Sequence, residues 1–202
     1  MTALPGLSAI SNGAPGPRSP LAEALSTLFE FSPILVHRLE PQLAGILSSQ
    51  PLLTSYSDLI DSALAAIEAW DIPAQSEFIS GHPRIGETKN LSNLSAKEQS
   101  GNAVAPTPPA VLARLAHLNA CYEAKYPGLR YITFVNGRSR QMVAEEMEDL
   151  LQIPHSLSTT DLAICDLVII DASNEEWRAE LRRATFDVGR IAKSRLNALG
   201  VE

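Results

Sequence analysis

Apolar residues recur at spacings of three and four over most of the chain, the repeat of one face of an α-helix. The pattern starts at Leu21 and returns in the stretches 34–47, 59–70, 109–126 and 174–199. An apolar stripe of this kind must be covered by another apolar surface, so helices of this type pack against one another. The pattern therefore predicts a helical bundle.

Charge balance and cysteine count narrow the class of protein. The 202 residues include 16 Lys and Arg against 23 Asp and Glu, a net charge of −7, and a chain of this length forms about one domain. A nucleic-acid binder or a protein of an anionic membrane surface needs a basic face, so we expect neither partner. Cys121 and Cys165 are too few for a disulfide framework, which predicts reduced thiols in a cytosol-like compartment.

The first 19 residues differ from the rest of the chain. They are rich in proline and glycine, and they have neither the basic start nor the unbroken apolar stretch of a secretory signal. We therefore predict a disordered tail over residues 1–19 and a helical domain over residues 20–200. The most apolar stretch elsewhere, 162–170, is far shorter than the roughly 20 residues that cross a bilayer, so no membrane association is expected.

Two segments interrupt the helical pattern. Between Asp71 and Leu94 the chain is polar, contains glycine and proline, and keeps no period, which predicts a long loop of the kind that carries function. Residues 131–135 are β-branched and aromatic, which favours a strand. Because the neighbouring sequence offers no partner strand, we expect a short extended segment that crosses the bundle.

Later helices have clear signals at their ends. Helices are predicted from Pro109 to about Tyr126, from Ser139 to about Gln152 and over residues 174–199. A connection over residues 153–173 separates the last two of these helices.

His82 is the first candidate for chemistry. It lies in Gly81-His82-Pro83, where the proline biases the histidine toward an extended backbone and presents the imidazole from a stiff loop. Histidine titrates near neutral pH and serves as a general acid or base. The alternative is a loop histidine satisfied by a backbone carbonyl.

Glu98 is the second candidate. Ser95-Ala96-Lys97-Glu98 has the spacing of a capping box, which predicts that a helix begins at Ser95 and by itself explains a glutamate at this position. The functional alternative is a carboxylate that stays ionised near the helix N-terminus and orients an imidazole. Gln99 beside it can both donate and accept, as ligand recognition requires.

Other kinds of site have little support in the sequence. His37, His117 and His155 have no partner at metal-ligand spacing, so no metal site is predicted. Ser139 lacks the Gly-x-Ser-x-Gly context of a nucleophile elbow. Residues 81–86 lack the Gly-Lys-Ser/Thr end of a phosphate loop.

Four stretches, taken in order, form a pattern. The stretches are His82-Pro83, Ser95 to Gln99, Asn119 to Tyr126 with Tyr131 to Ser139, and a closing helix with Glu180, Ala184, Asp187-Val188, Arg190-Ile191 and Arg195-Leu196. This pattern resembles the family of decarboxylases that act on 2-oxo-4-hydroxy-4-carboxy-5-ureidoimidazoline (OHCU) in urate degradation. The family's elements are His-Pro, Ser-x-x-Glu-Gln, Asn-x-x-Tyr-x-x-Lys with an apolar segment and Gly-Lys/Arg-Ser/Thr, and a closing helix. The resemblance covers about residues 20–200.

The resemblance implies an all-α, single-domain multi-helix bundle with a short extended segment near residues 131–135. It also implies a lyase that needs neither cofactor nor metal and converts the ureidoimidazoline acid to (S)-allantoin and CO₂. On this carry-over His82 is the catalytic acid or base and Glu98 orients it. The residues expected around the substrate are Pro83, Ser95, Gln99, Tyr131, Ile132, Thr133, Phe134 and Val135.

Two positions depart from the family. Family members usually have Asp after His-Pro, where this chain has Arg84. The family helix that follows Gly-x-Ser carries an arginine for the substrate carboxylate, and Leu150 stands there in this chain, so a charge-assisted bond is lost. We expect Arg84 to supply the missing cation from another direction, with Arg138 and Arg140 as the other choices.

Three functions remain open after this comparison. The first is an active decarboxylase of this pathway with a small-molecule substrate, the second is a divergent relative acting on a related ureido acid, and the third is a helical interaction protein without turnover. The resemblance suggests a homodimer. The C-terminus lacks a Ser-Lys-Leu type of address, which leaves cytoplasm and peroxisome as compartments.

Overall fold

The computed structural model describes residues 3–49, 53–89, 91–100, 106–160 and 166–201. Its helices over those residues are α1 (Leu7–Asn12), α2 (Pro20–Phe29), α3 (Glu40–Ser49), α4 (Tyr56–Glu68), α5 (Ile72–Ser80), α6 (Asn93–Ser100), α7 (Pro109–Lys125), α8 (Arg140–Leu151) and α9 (Glu175–Leu199). A π-helical turn, Leu35–Leu39, leads into α3. Because the described residues contain no strand, the all-α prediction is confirmed.

The chain divides into two compact units. The first unit comprises residues 1–82 and 182–202, and the second comprises residues 83–181. The division falls between His82 and Pro83 and again within α9. None of the helices in the described residues is long and apolar enough to span a bilayer.

The core of the first unit is formed by the stripes that the periodicity predicts. The apolar residues at positions 21, 25, 28 and 29 of α2 are all buried, as are those at 59, 63, 66 and 67 of α4. Ser19 caps α2 by accepting a hydrogen bond from the Ala22 N–H at 3.0 Å, and Pro20 follows at the first helical position. The two amphipathic helices therefore form where the sequence predicts them.

In the second unit, α7 packs against α8. Ser139 caps α8 through the Met142 N–H at 3.2 Å, and Gln152, in the left-handed conformation, follows its last residue. These bounds agree with the predicted helix from Ser139 to about Gln152. The first turns of α9 are attached to the end of α7, because the Tyr122 hydroxyl donates to Glu180 at 2.9 Å and the Trp177 indole N–H donates to the Pro127 carbonyl at 3.0 Å.

Two segments expected to be irregular contain helices. The disordered tail predicted for residues 1–19 contains α1, with Ile10 3% exposed, and the Gly16 N–H and the Ser19 hydroxyl both donate to the buried carboxylate of Glu40 at 2.9 and 2.6 Å. The loop predicted from Asp71 begins instead with α5, in which Pro73 occupies the first turn. The N–H groups of a first helical turn have no partner within the helix, so a proline there removes no hydrogen bond. The interpretation of Pro73 as a loop residue is therefore wrong.

The start of α6 also differs from the prediction. The helix begins at Asn93, and the hydroxyl of Ser92 accepts a hydrogen bond from the Ser95 N–H at 3.1 Å. Ser92, not Ser95, therefore occupies the N-cap, and the predicted Ser95–Glu98 capping box is wrong.

Candidate active site

His82 follows directly on the C-terminal end of α5 in the first unit and is 7% exposed. Its Nδ1 lies 3.0 Å from the Phe78 carbonyl oxygen, and its ring stands edge-on to the Phe78 ring with the centroids 5.0 Å apart. A carbonyl oxygen only accepts hydrogen bonds, so Nδ1 carries the hydrogen. In the neutral imidazole the basic lone pair is therefore on Nε2.

The residue before His82 must be small for this arrangement. A Cβ atom on Gly81 would lie 2.9 Å from the Cβ of Ser32, closer than such atoms approach in proteins. The His82 N–H also donates to the Ile79 carbonyl at 3.2 Å. The backbone and the ring of His82 are therefore both fixed against the end of α5. The candidate catalytic histidine is thus also bonded to a backbone carbonyl, as the alternative interpretation of the sequence expects.

Burial sets the protonation state of His82. Removal from water, together with the positive charge of Arg195, lowers the pKa of His82 from its ordinary 6.5 to about 4, while the Phe78 carbonyl and Glu30 act in the opposite direction. Arg195 is itself 2% exposed and is held by the Thr27 carbonyl at 3.0 Å and by Glu30 at 2.7 Å. At neutral pH the imidazole is uncharged.

In the second unit, the loop of residues 84–86 is held by two side chains. The Gln99 amide of α6 donates to the Arg84 carbonyl at 3.0 Å and accepts from the Gly86 N–H at 2.9 Å. The Asn119 amide of α7 donates to the Ile85 carbonyl at 2.9 Å. Gly86 has φ +86°, a conformation that glycine adopts without strain. Gln99, predicted to contact substrate, uses both ends of its amide on this loop.

Arg84 makes a bidentate ion pair with Glu123 of α7. Its Nε and Nη2 lie 2.6 and 2.9 Å from the two carboxylate oxygens of Glu123, and its Nη1 lies 3.5 Å from Glu87. These bonds raise the pKa of Arg84. The side chain is 41% exposed and that of Glu123 is 28% exposed. The cation expected to meet a substrate carboxylate is therefore already bound by a carboxylate of the protein.

A cleft of about 600 Å³ lies beside this ion pair in the second unit. The residues around it are Arg84, Ile85, Gly86, Glu87, Thr88, Lys89, Leu112, Ala116, Asn119, Ala120 and Glu123. Its size is within the range of small-molecule sites. The loop after His82-Pro83 forms one wall and α7 forms the other.

Ser95 and Glu98 lie in α6. Ser95 is 4% exposed, and Glu98 is half-buried. Because Ser92 occupies the N-cap, the capping box no longer accounts for Glu98.

The extended segment of residues 131–135 is coil, as predicted, and its side chains at 131, 132, 133 and 135 are buried. Arg138 holds it in place. The Arg138 guanidinium donates to the Val135 and Phe134 carbonyls and to the Thr133 hydroxyl, and it forms an ion pair with Glu146. Arg138 is thus engaged within the protein in the same way as Arg84.

The third candidate cation, Arg140, begins α8, and Leu150 lies half-buried near its end. Arg140 donates to the Thr107 hydroxyl at 3.0 Å, and burial lowers the pKa of Arg140. Ten residues of α-helix separate positions 140 and 150, a rise of about 15 Å. Arg140 therefore does not stand in the place of the family arginine.

A sequence model of OHCU decarboxylase matches residues 17–157, well over half of the chain. The chain belongs to the OHCU decarboxylase family. Membership supports a decarboxylase function in urate catabolism, in agreement with the predicted resemblance. The match includes both His82-Pro83 and Ser95 to Gln99. A search of curated proteins gives no match to this chain.

The sequence does not reveal three groups that hold His82 and the loop of residues 84–86 in place. They are the Phe78 carbonyl, the Glu123 carboxylate and the side-chain amide of Asn119. Phe78 acts through its backbone, so no side-chain pattern marks it. Glu123 is separated from Arg84 by 39 residues, and only the opposite signs of the two charges could have suggested the pair. Asn119 was noted only as part of the third stretch, with no partner assigned to it.

Within the described residues, no group of three or more His, Cys, Asp or Glu side chains is placed to hold a metal ion. The side chains described at this site offer an imidazole, carboxylates, amides and guanidinium groups.

Proposed function

We propose that this protein catalyses the decarboxylation of 2-oxo-4-hydroxy-4-carboxy-5-ureidoimidazoline to (S)-allantoin and CO₂, with His82 as the catalytic residue. Family membership supports the reaction class. The observation that carries the choice of residue is the geometry of His82, which is buried, held at Nδ1 by a carbonyl and uncharged at neutral pH. Such an imidazole has its lone pair on Nε2.

The protonation state of His82 fixes the order of the proton transfers. A neutral imidazole has no proton to give at Nε2, so His82 acts first as a base and takes a proton from the substrate hydroxyl. The carbon–carboxylate bond then breaks, its electron pair stays on the ring as an enolate-like intermediate, and CO₂ leaves. The imidazolium returns its proton to one face of the intermediate, which accounts for a single enantiomer. One further proton from solvent neutralises the negative charge that the departing CO₂ leaves on the ring, so that the carboxylate substrate gives neutral allantoin and CO₂.

Glu98 has a narrower role in this scheme than the sequence suggests. Since the Phe78 carbonyl already fixes Nδ1, a carboxylate can act on this imidazole only at Nε2 and only when Nε2 is protonated. We therefore assign Glu98 the stabilisation of the imidazolium that forms during turnover, rather than the orientation of the neutral ring.

Replacing His82 by Asn tests the proposal. The reaction is followed by coupling to urate oxidase and hydroxyisourate hydrolase, with the enantiomeric excess of allantoin as the readout. The wild type forms (S)-allantoin faster than buffer alone, and His82→Asn lowers kcat by about 10²- to 10⁴-fold. The matched control is His155→Ala, because His155 is exposed and its imidazole lies at the surface, 2.8 Å from Asp149; kcat should stay within about twofold. Full activity in His82→Asn would contradict the assignment.

Replacing Glu98 by Gln tests the second role. Loss of the charge should lower kcat by about tenfold or more and leave KM within about twofold, because the imidazolium exists only after substrate has bound. The effect should vanish in the His82→Asn background. An equal loss in both backgrounds would show that Glu98 acts independently of His82.

A second candidate function has one specific observation in its favour. Both Arg84 and Arg138 are bound by carboxylates of the protein, and the resemblance implies that Leu150 stands where the family has an arginine. A related ureido acid that lacks the carboxylate contact would suit this site better. Turnover of such an acid, with no acceleration of (S)-allantoin formation, would favour the divergent relative.

A further inference from the structure

The loop after His82-Pro83 is anchored at three consecutive residues. The Arg84 carbonyl and the Gly86 N–H bind the two ends of the Gln99 amide, and the Ile85 carbonyl binds Asn119. The Ile85 side chain is 6% exposed. Each peptide group of this short stretch therefore has its own side-chain partner from α6 or α7.

The ion pair between Arg84 and Glu123 adds a fourth anchor to the same loop. It has the bidentate geometry that fixes direction as well as distance. Because both side chains are partly exposed, the pair contributes little to the free energy of unfolding. Its main consequence is to fix the Arg84 side chain, and with it the start of the loop, to α7.

The same contacts make Arg84 poorly suited to bind a substrate carboxylate. Such a carboxylate would meet the like charge of Glu123, whose oxygens lie 2.6 and 2.9 Å from Arg84. The Gln99 amide makes one bond from its nitrogen and one to its oxygen with the loop backbone. Both side chains have the geometry of anchors.

We propose that Arg84, Glu123 and Gln99 are positioning residues, which fix the backbone that leaves His82-Pro83, and that Arg84 is not the cation for the substrate carboxylate. This inference rests on the proposed function. Within the protein the charge of Arg84 is neutralised by Glu123, so Arg84 is not available as a replacement for a substrate-binding arginine. Asn119 supports the same loop from α7.

The test is a charge-exchange cycle at positions 84 and 123. Arg84→Glu and Glu123→Arg each place like charges together, and each should lower kcat by about tenfold while KM stays within about threefold. The double variant restores an ion pair of opposite direction and should return kcat to within about threefold of wild type. Rescue of this kind shows that the two side chains act on each other. Glu87, 3.5 Å from Arg84, and Arg130, 3.9 Å from Glu123, are the neighbouring charges that oppose the reversed pair and keep kcat of the double variant below that of wild type.

Lys193→Met serves as the control, because Lys193 forms an exposed ion pair with Asp61 at 2.7 Å in the first unit; its kcat should stay within about twofold of wild type. Two results would overturn the proposal. One is a rise of KM by more than about tenfold in Arg84→Glu with no rescue in the double variant, which would place Arg84 on the substrate. The other is wild-type kcat in both single variants.

Hydrogen exchange at the Gly86 amide tests the anchored loop independently of decarboxylase activity. The Gly86 N–H donates to Gln99 Oε1, so Gln99→Met should accelerate its exchange by about tenfold or more, and Gln99→Glu, which keeps an acceptor oxygen, should accelerate it less. If the wild type forms no (S)-allantoin yet these shifts occur, the reaction is wrong and the anchored loop stands. Unchanged exchange in Gln99→Met would exclude the anchor whatever the activity.

Discussion

Two arginine–glutamate pairs of the second unit have nearly the same Nε–carboxylate distance and opposite surroundings. Arg84 Nε lies 2.6 Å from Glu123, and Arg114 Nε lies 2.7 Å from Glu148. The first pair has side chains 41% and 28% exposed, whereas the second has side chains 0% and 1% exposed. The distance between the charged atoms thus says little about what each pair does.

Burial decides the energetic role of each pair. A charge in the interior has lost its water and depends on its partner, so removal of one member leaves the other uncompensated. A charge at the surface is solvated whether or not the partner is present. The fold therefore depends on Arg114 and Glu148 being present together, and the Arg84–Glu123 pair directs a loop.

The largest expected effect is at the buried pair. Arg114→Met should lower the free energy of unfolding by about 3–5 kcal/mol, because Glu148 keeps a buried charge without its cation. Urea unfolding followed by circular dichroism measures the change. The double variant Arg114→Met with Glu148→Leu should recover much of the loss. If the single variant lost less than about 1 kcal/mol, the contrast between the pairs would not hold.

His82 is a buried residue whose uncharged form is favoured by its surroundings. Its pKa is about 4 in the folded protein against 6.5 ordinarily, so the unfolded state binds the proton more tightly. The resulting stability is fully present above pH 6.5 and is lost as the pH falls through 4. The loss should be about 2–3 kcal/mol at pH 4.5.

The measurement compares urea unfolding of the wild type and His82→Asn at pH 7 and pH 4.5. Carboxylates titrate in both proteins, so the difference between the two pH dependences isolates the histidine. Identical pH dependences would show that His82 is charged in the folded protein at pH 4.5.

Substitution of Gly86 tests how far the stability of the loop of residues 84–86 depends on its backbone conformation. Alanine there would be strained at φ +86° and would bring a Cβ to 3.0 Å from Leu115, so Gly86→Ala should cost about 1–2 kcal/mol. Gly45→Ala is the control, since nothing lies within 4 Å of a Cβ on that helical glycine, and it should raise stability by about 0.5–1 kcal/mol. Equal effects at the two glycines would contradict the close approach.

The smallest effect is expected at the half-exposed pair. Arg84→Met should change the free energy of unfolding by less than about 1 kcal/mol, and about 0.5 M salt should reduce even that difference. Unfolding curves at low and high salt measure it. A loss as large as that of Arg114→Met would make the Arg84–Glu123 pair a structural element.

The sequence predicts the fold well where a single helix face is buried. The α2 and α4 stripes, the cap at Ser139 and the bounds of α7 and α9 all agree with the structure, because amphipathic period and capping are local properties. The failures are also local. Pro73 is compatible with a first helical turn as well as with a loop, and two serines three residues apart, Ser92 and Ser95, compete for one cap.

The candidate site was less predictable. The sequence indicates His82 through its proline neighbour, but the carbonyl that fixes Nδ1 comes from the preceding helix and has no residue signature. Arg84, Gln99 and Arg138 were identified by type as groups for a ligand. Their partners, Glu123, the loop backbone and Glu146, depend on tertiary contacts that no short spacing encodes.

The buried pair of α7 and α8 also reaches into the connection that follows α8. Arg114 donates to the Ser158 carbonyl, and Glu148 accepts from the Ser156 N–H at 3.2 Å. Positions 114 and 148 should therefore change together during evolution, and the residues up to 158 should keep a constant length. Insertions and deletions between residues 148 and 158 should therefore be rare, because they would move these two backbone groups away from the interior charges.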